Sequence, residues 1–302
     1  MGKVYKLTPS VHDNIWGGNK LRGYGKQSDA DRIAESWELS FVPGGEARIS
    51  DGRRLTEAFG KDAWGENCRG FENFPTLTKF IDAREKLSVQ VHPSDEYALC
   101  HEGQYGKTEM WYVVEADEGA GIYMGLSRSV SAERFAEMVA DGSVESVLKF
   151  HPVKAGDVFF IPAGTVHAIG AGVMIFEIQQ NSTLTYRLYD YMRVDKQGRL
   201  RELHVDKAMR VCNLCEYTPY ESQSGDVIGS CKYFEVRRLE VCGDGQIFAS
   251  ADSFLSVSVV GGSGCIDGEP TVAGDSYFIP AGAGEIKLSG ELTALVISVP
   301  KS

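Results

Sequence analysis

The amino-acid sequence predicts a mainly β chain built as two tandem units with a small helical insertion, and three observations carry the prediction. A twelve-residue phrase occurs twice. Gly156-Asp-Val-Phe-Phe-Ile-Pro-Ala-Gly-Thr-Val-His167 returns 118 positions later as Gly274-Asp-Ser-Tyr-Phe-Ile-Pro-Ala-Gly-Ala-Gly-Glu285. Repetition at a fixed offset marks two copies of one architectural unit. Short segments rich in aromatic and β-branched residues, punctuated by Gly, Pro, Asp and Ser, dominate the chain, as in sandwiches and barrels. Helical periodicity, by contrast, appears in only a few places.

In chain order, a short helix is expected over residues 54–59, followed by strands over 86–91 and 109–115. Residues 131–150 open on Ser131 and Glu133 and set Phe135, Met138 and Val139 on one stripe, so a helix is expected there with Gly142 as its break. Strands follow over 158–161 and 173–179, then a third helix over 204–212. The polar segment 216–229, which bears Pro and Gly, reads as a linker. Strands over 234–241 and 254–260 belong to the second unit. The expected division is therefore residues 1–215, with an N-terminal extension and the helical insertion, and residues 216–302.

Composition narrows the function classes. A 302-residue chain of formal charge −11 carries no footprint for nucleic acid and no attraction to anionic membranes. An anionic substrate then needs a local cluster of Lys and Arg. No run approaches the roughly 20 apolar residues of a membrane span, and the first residues lack a signal peptide's apolar stretch. Seven irregularly spaced cysteines fit reduced thiols better than a disulfide framework. A cytoplasmic protein is expected. Oligomeric state is not legible.

The repeated phrase has a mechanical reading. Gly-Asp turns, Val158–Ile161 is a buried strand, and Pro162-Ala-Gly164 re-aims the chain so that His167 stands just beyond the turn. The pattern G-x5-P-x-G-x2-H resembles the second signature motif of the cupin superfamily, which implies jelly-roll units. Upstream, Gln90 and His92 lie two apart on a strand and share a face, as do Glu109, Trp111 and Val113. A carboxylate facing inward needs a positive partner. A divalent metal held by His92, Glu109, His167 and the Gln90 amide oxygen satisfies all four groups. That nitrogen and oxygen set suits zinc, with iron or manganese as alternatives. The second copy ends in Glu285 and has no Gln-x-His upstream, so it is expected to be structural, covering sheet edges and walling the cleft.

Longer phrases then carry a family resemblance. Leu87-Ser-Val-Gln90-Val-His92-Pro-Ser-Asp-Glu, Gly106-Lys107-Thr-Glu109-Met-Trp-Tyr and Pro162 through Ser182 resemble the zinc-binding regions of the type I mannose-6-phosphate isomerases. Ile15-Trp-Gly-Gly18 and Glu35-Ser-Trp-Glu-Leu-Ser40 extend the likeness over essentially the whole chain. The resemblance implies one zinc ion per chain and a reversible aldose–ketose isomerisation of mannose 6-phosphate and fructose 6-phosphate through an enediolate. It implies that Arg187 contacts substrate as a catalytic or phosphate-binding group, and that Lys79 serves phosphate or catalysis. Lys107, two residues before Glu109, is a candidate for proton transfer or ring opening. Glu177 is either the acid/base carboxylate or a group that orients a ligand.

Bland readings stand beside these: Arg187 as a surface partner of Asp190, Lys107 as a turn lysine, Lys79 as an edge lysine. His101 is the remaining histidine with a conceivable ring-opening role, and Cys212 and Cys215 read as structural cysteines in a helix. Two other functions compete. One is a non-catalytic sugar-phosphate sensor; the other is a non-haem iron oxygenase, which also uses two histidines and a carboxylate. A related aldose 6-phosphate is the alternative substrate.

Overall fold

The computed structural model describes residues 4–195, 197–220 and 225–301, and its sheets are antiparallel throughout. A six-stranded sheet runs in the order Val158–Ile161, Glu109–Ala116, Val173–Gln180, Thr76–Ala83, Glu35–Leu39, Ser10–His12. A five-stranded sheet runs Tyr186–Tyr189, Val89–Val91, His167–Ile169, Gly121–Leu126, Leu148–Pro152. Ile81, Trp111, Val113 and Ile175 from the first sheet pack with Ile122, Met124 and Ile169 from the second. This closes the jelly roll expected of a cupin.

The central strands Thr76–Ala83 and Val173–Gln180 are buried at every position. Alternation explains why both of their faces are apolar. Ile81 and Ile175 point into the jelly roll, whereas Phe80 and Phe176 point out of it. The outward set is covered by a third sheet.

That sheet has eight strands, with Phe234–Ala249, Gly284–Ser298, Leu255–Ile266 and Ser276–Ile279 at its centre. Phe234, Val236, Phe278, Leu295 and Ile297 face Phe80 and Phe176 in one apolar cluster. Two of its strands come from the start of the chain: Tyr5 pairs with Phe278, and Leu7 with Ile49. The sheet of the second unit therefore includes residues that lie before position 216 in sequence. Residues 221–224 of the expected linker lie outside the described residues. Its end, Val227–Cys231, forms an edge strand.

The two copies of the phrase adopt the same local geometry. Gly156 and Gly274 sit at φ +91° and +100°, Gly164 and Gly282 at +87° and +77°. These left-handed angles favour glycine because it has no Cβ. Gly156 donates its N–H to Val113 O at 2.8 Å, and Gly274 donates to Val259 O at 2.8 Å.

The insertion is shorter than expected. A helix spans Ala132–Asp141; the Ser131 hydroxyl caps it by accepting from the Arg134 N–H at 3.2 Å, and Gly142 ends it at φ +78°. A 3₁₀ turn covers Ser143–Val147, and the chain then joins the five-stranded sheet as Leu148–Pro152. Pairing of Phe150 with Tyr123 outweighs the weak helical signal there. The last helix is likewise confined to Val205–Met209, which leaves Cys212 and Cys215 beyond it.

Candidate metal centre and substrate cleft

Register brings the predicted residues into two facing rows. On the five-stranded sheet Arg187 lies opposite Gln90, Gln90 opposite His167, and His167 opposite Met124. On the six-stranded sheet Lys79 lies opposite Glu177, and Glu177 opposite Trp111. Directly opposed residues in an antiparallel ladder share a face, so each row projects as a line of side chains. Both lines point into the jelly roll, where apolar walls deny them bulk water.

His92, Glu109 and His167 converge there, with ligand atoms that all lie within 4.8 Å of one another. All three are buried. His92 Nδ1 faces Leu184 O at 2.8 Å, and His167 Nδ1 faces Thr165 O at 2.9 Å. Carbonyl partners require an N–H on those atoms, which leaves each Nε2 with a lone pair. The Nε2 atoms point at Glu109, 3.5 Å from Oε2 and 3.3 Å from Oε1.

Burial holds His92 well below the usual imidazole range, with the Lys107 ammonium adding to the effect. Burial likewise pushes His167 down to about 4. Both rings are therefore neutral near pH 7, the form that ligates metal.

The donor set fits a divalent cation. Glu109 Oε1 is buried without a hydrogen-bond partner, a costly state for a carboxylate. Two neutral imidazoles beside it match zinc's preferences. The Lys107 ammonium lies against Glu109 Oε2 and 3.2 Å from His92 Nε2, so this pocket already attracts positive charge. The Gln90 amide reaches the same point, its nitrogen 3.3 Å from His167 Nε2. Half a turn of the planar amide presents its oxygen instead.

Glu177 anchors the second row. It accepts from Trp111 Nε1 at 3.1 Å and lies 3.5 Å from Lys79 and 3.7 Å from Lys107. Burial opposes its charge, but the two lysines and the indole N–H outweigh it and hold the carboxyl low. Lys79 sits between Glu177 and Glu35, 3.3 Å from the latter, with its ammonium 4.8 Å from the centre of the Trp37 ring. Burial works against that ammonium too; the two carboxylates overcome it and raise its pKa. Both of its neighbours are thus anions of the protein itself.

A cleft of about 160 Å³ opens beside these groups, lined in part by Gln90, Lys107, Glu177, Thr185, Arg187 and Arg201. Among the described residues, none that lines it comes from 216–302. The expected wall from the second copy is therefore absent from this cleft, because that sheet packs on the outer face of the jelly roll. Glu285 is exposed and pairs across its sheet with Phe248. His101 is exposed on the helix Asp95–His101, stacked on Tyr97 at 4.1 Å, and does not line the cleft. Arg187 is not the partner of Asp190: its Nη1 donates to Glu202 O at 2.8 Å, while Asp190 is held by Arg193 and Arg201.

Arg201 and Thr185 were not singled out from sequence. The signal available was the density of arginines after position 186 in an acidic chain. Burial pushes the Cys212 thiol up to about 12, and all seven cysteines are free. Among the described residues no helix is long and apolar enough to cross a membrane.

Comparison with known proteins agrees with this geometry. The profile for the type I phosphomannose isomerase catalytic domain matches residues 4–118, and that for the mannose-6-phosphate isomerase cupin domain matches residues 226–299. The chain is 37% identical to mannose-6-phosphate isomerase ManA of Bacillus subtilis, over 95% of this chain and 96% of that one. It is 39% identical to the mannose-6-phosphate isomerase of Streptococcus mutans, over 93% and 91%. Among solved structures, the B. subtilis mannose 6-phosphate isomerase superposes with a TM-score of 0.89 at 32% identity, covering 98% of this chain and 99% of that one.

Proposed function

The chain belongs to the type I mannose-6-phosphate isomerases, and from that premise we propose that it interconverts mannose 6-phosphate and fructose 6-phosphate in the cytoplasm with one zinc ion. The observation that carries the reading is the convergence of His92, Glu109 and His167 beside a cleft that also holds Lys107, Glu177 and Arg187. A sensor needs no such ligand set, and the two histidines and one carboxylate that a non-haem iron oxygenase would also use are joined here by the Gln90 amide.

His92, Glu109, His167 and the Gln90 amide would hold the ion. When bound, it supplies Lewis-acid polarisation of substrate oxygens. The protein's own groups do the rest. Glu177, kept ionised by its neighbours, is ready to accept the proton that moves between C2 and C1. Lys107, an ammonium among carboxylates, is ready to donate one to a sugar oxygen as the ring opens. Trp111 fixes Glu177 through its indole N–H. Arg187 faces the anionic end of the substrate, and Lys79 keeps Glu177 charged rather than meeting phosphate itself.

A coupled assay tests the reading. Fructose 6-phosphate formation from mannose 6-phosphate should vanish on chelation and return with zinc. A folded, zinc-loaded sample that gives no turnover rejects this substrate. Glu177→Gln and Lys107→Ala should each lower kcat by about 10²- to 10⁴-fold, the usual worth of general acid–base groups, with zinc content retained. Loss of zinc in either variant would show a ligand-ordering role instead.

A further inference from the structure

The mouth of the cleft carries a cluster of partly buried positive charge that the proton-transfer chemistry does not use. Asp190 is 4% exposed, and its carboxylate is shared by two guanidiniums. Arg193 Nη2 contacts Oδ1, and Arg201 Nη1 lies 3.3 and 3.4 Å from the two oxygens. Arg187 stands nearby with a backbone carbonyl, Glu202 O, as acceptor for its Nη1, and its buried Nε has no hydrogen-bond partner. Burial, then the neighbouring Arg201, depresses its pKa, as expected where cations crowd without enough anions.

Three arginines thus cluster around one buried aspartate that only two of them contact, and the other carboxylate near Arg187, Glu202, is exposed. Only two of the three, Arg187 and Arg201, line the cleft. Arg193 is turned away, with Nη1 donating to Lys86 O at 2.5 Å. The Asp190–Arg201 contacts are long and imperfect for a charge-assisted pair, whereas Arg193 holds the same carboxylate tightly. An incoming anion therefore competes for Arg201 and leaves Asp190 neutralised by Arg193.

We propose that Arg201 is a specificity-determining residue which, with Arg187, clamps the phosphate of the substrate, and that Asp190 occupies Arg201 until that phosphate displaces it. The inference rests on the isomerase reading for its choice of anion. The site itself needs only a compact dianion of the phosphate class. The charge balance fits: Arg193 neutralises Asp190, Glu202 is 84% exposed and screened by solvent, and Arg187 and Arg201 then leave two positive charges, the complement of a phosphate monoester near pH 7.

The test is calorimetric titration of the zinc-loaded enzyme with inorganic phosphate, alongside steady-state kinetics with mannose 6-phosphate. Arg201→Ala should weaken phosphate binding and raise KM by about tenfold to hundredfold, the worth of a charge-assisted hydrogen bond, while kcat falls less than threefold. Arg201→Lys keeps the charge but not the fork, and should lie between. Asp190→Asn should move the other way and bind phosphate several-fold more tightly. A merely structural Arg201 would instead depress kcat and melting temperature together. A folded Arg201→Ala or Arg201→Lys enzyme with unchanged phosphate affinity and KM overturns the clamp. A folded Asp190→Asn enzyme with equal or weaker affinity overturns the displacement. Phosphate titration needs no turnover, so an enzyme that binds phosphate through Arg201 yet fails to isomerise would sink the isomerase reading alone.

Discussion

A single carboxylate sets the demands of the site. Glu109 is fully buried, with one oxygen unpartnered, and two neutral imidazoles are fixed to face it. His92→Ala or His167→Ala should each abolish zinc retention and activity while leaving a folded protein, as read by metal analysis and circular dichroism. Retained zinc in either variant contradicts the assigned ligands. The histidines also predict a pH effect in chelated protein. Burial lowers His167 from 6.5 to about 4, so between those values the unfolded chain binds a proton that the folded one refuses. The contribution of His167 to stability then falls by about 3 kcal/mol as pH drops through this window, and His92 adds in the same direction, while Glu109, which burial pushes up to about 8, works the other way. The check is therefore the difference between the wild type and His167→Gln: a dependence of the denaturant midpoint on pH between 6.5 and 4 that is the same in both would show that the His167 ring is protonated when folded. Gln90, His92 and Glu109 were legible because strand parity alone puts them on shared faces. Arg201 was not, since its place beside Arg187 depends on how the loop after Tyr189 folds back.

At the scale of elements, the repeat shows how like sequences can carry unlike constraints. Gly156 and Gly274 share a left-handed φ, but a Cβ on Gly156 meets nothing nearer than 3.9 Å, whereas one on Gly274 would lie 2.3 Å from Tyr24 O. Gly156→Ala should cost about 1 kcal/mol from backbone strain alone. Gly274→Ala adds a clash with main chain and should cost about 3 kcal/mol. Equal losses in urea unfolding would mean that Tyr24 yields freely. The turn chemistry of both copies could be read from Gly-Asp and Pro-Ala-Gly. Helix ends could not: residues 148–150 carry Leu and Phe, which serve a helical stripe or a strand equally well, and only pairing with Gly121–Leu126 decides.

For the whole molecule, the decisive fact is that the two units are not separate bodies. Phe80 and Phe176 leave the back of the jelly roll and share one buried cluster with Phe234, Phe278 and Ile297 of the second unit. The chain's first strand, Tyr5–Thr8, has its partner at Ser276–Ile279. Lys26 is 5% exposed, with its ammonium 2.6 Å from Glu38 and 2.6 Å from Gly274 O, so even a buried ion pair of the first unit is completed by the second. Sequence alone gives the repeat but not this dependence, since nothing in a linear offset of 118 says which faces meet. A fragment of residues 1–215 keeps every metal ligand and every residue that lines the cleft, yet it exposes an aromatic face. Each such side chain is worth about 1.5–3 kcal/mol of burial. Four or five of them match the roughly 5–15 kcal/mol that holds a typical domain together. The fragment should therefore show no cooperative unfolding transition and no zinc-dependent activity. Supplying residues 216–302 in trans should recover structure only if residues 1–215 are still free to pair Tyr5–Thr8 with Ser276–Ile279. A fragment that melts cooperatively near the temperature of the intact chain would mean that the shared aromatic layer contributes little, and that the jelly roll is stabilised by its inner core alone.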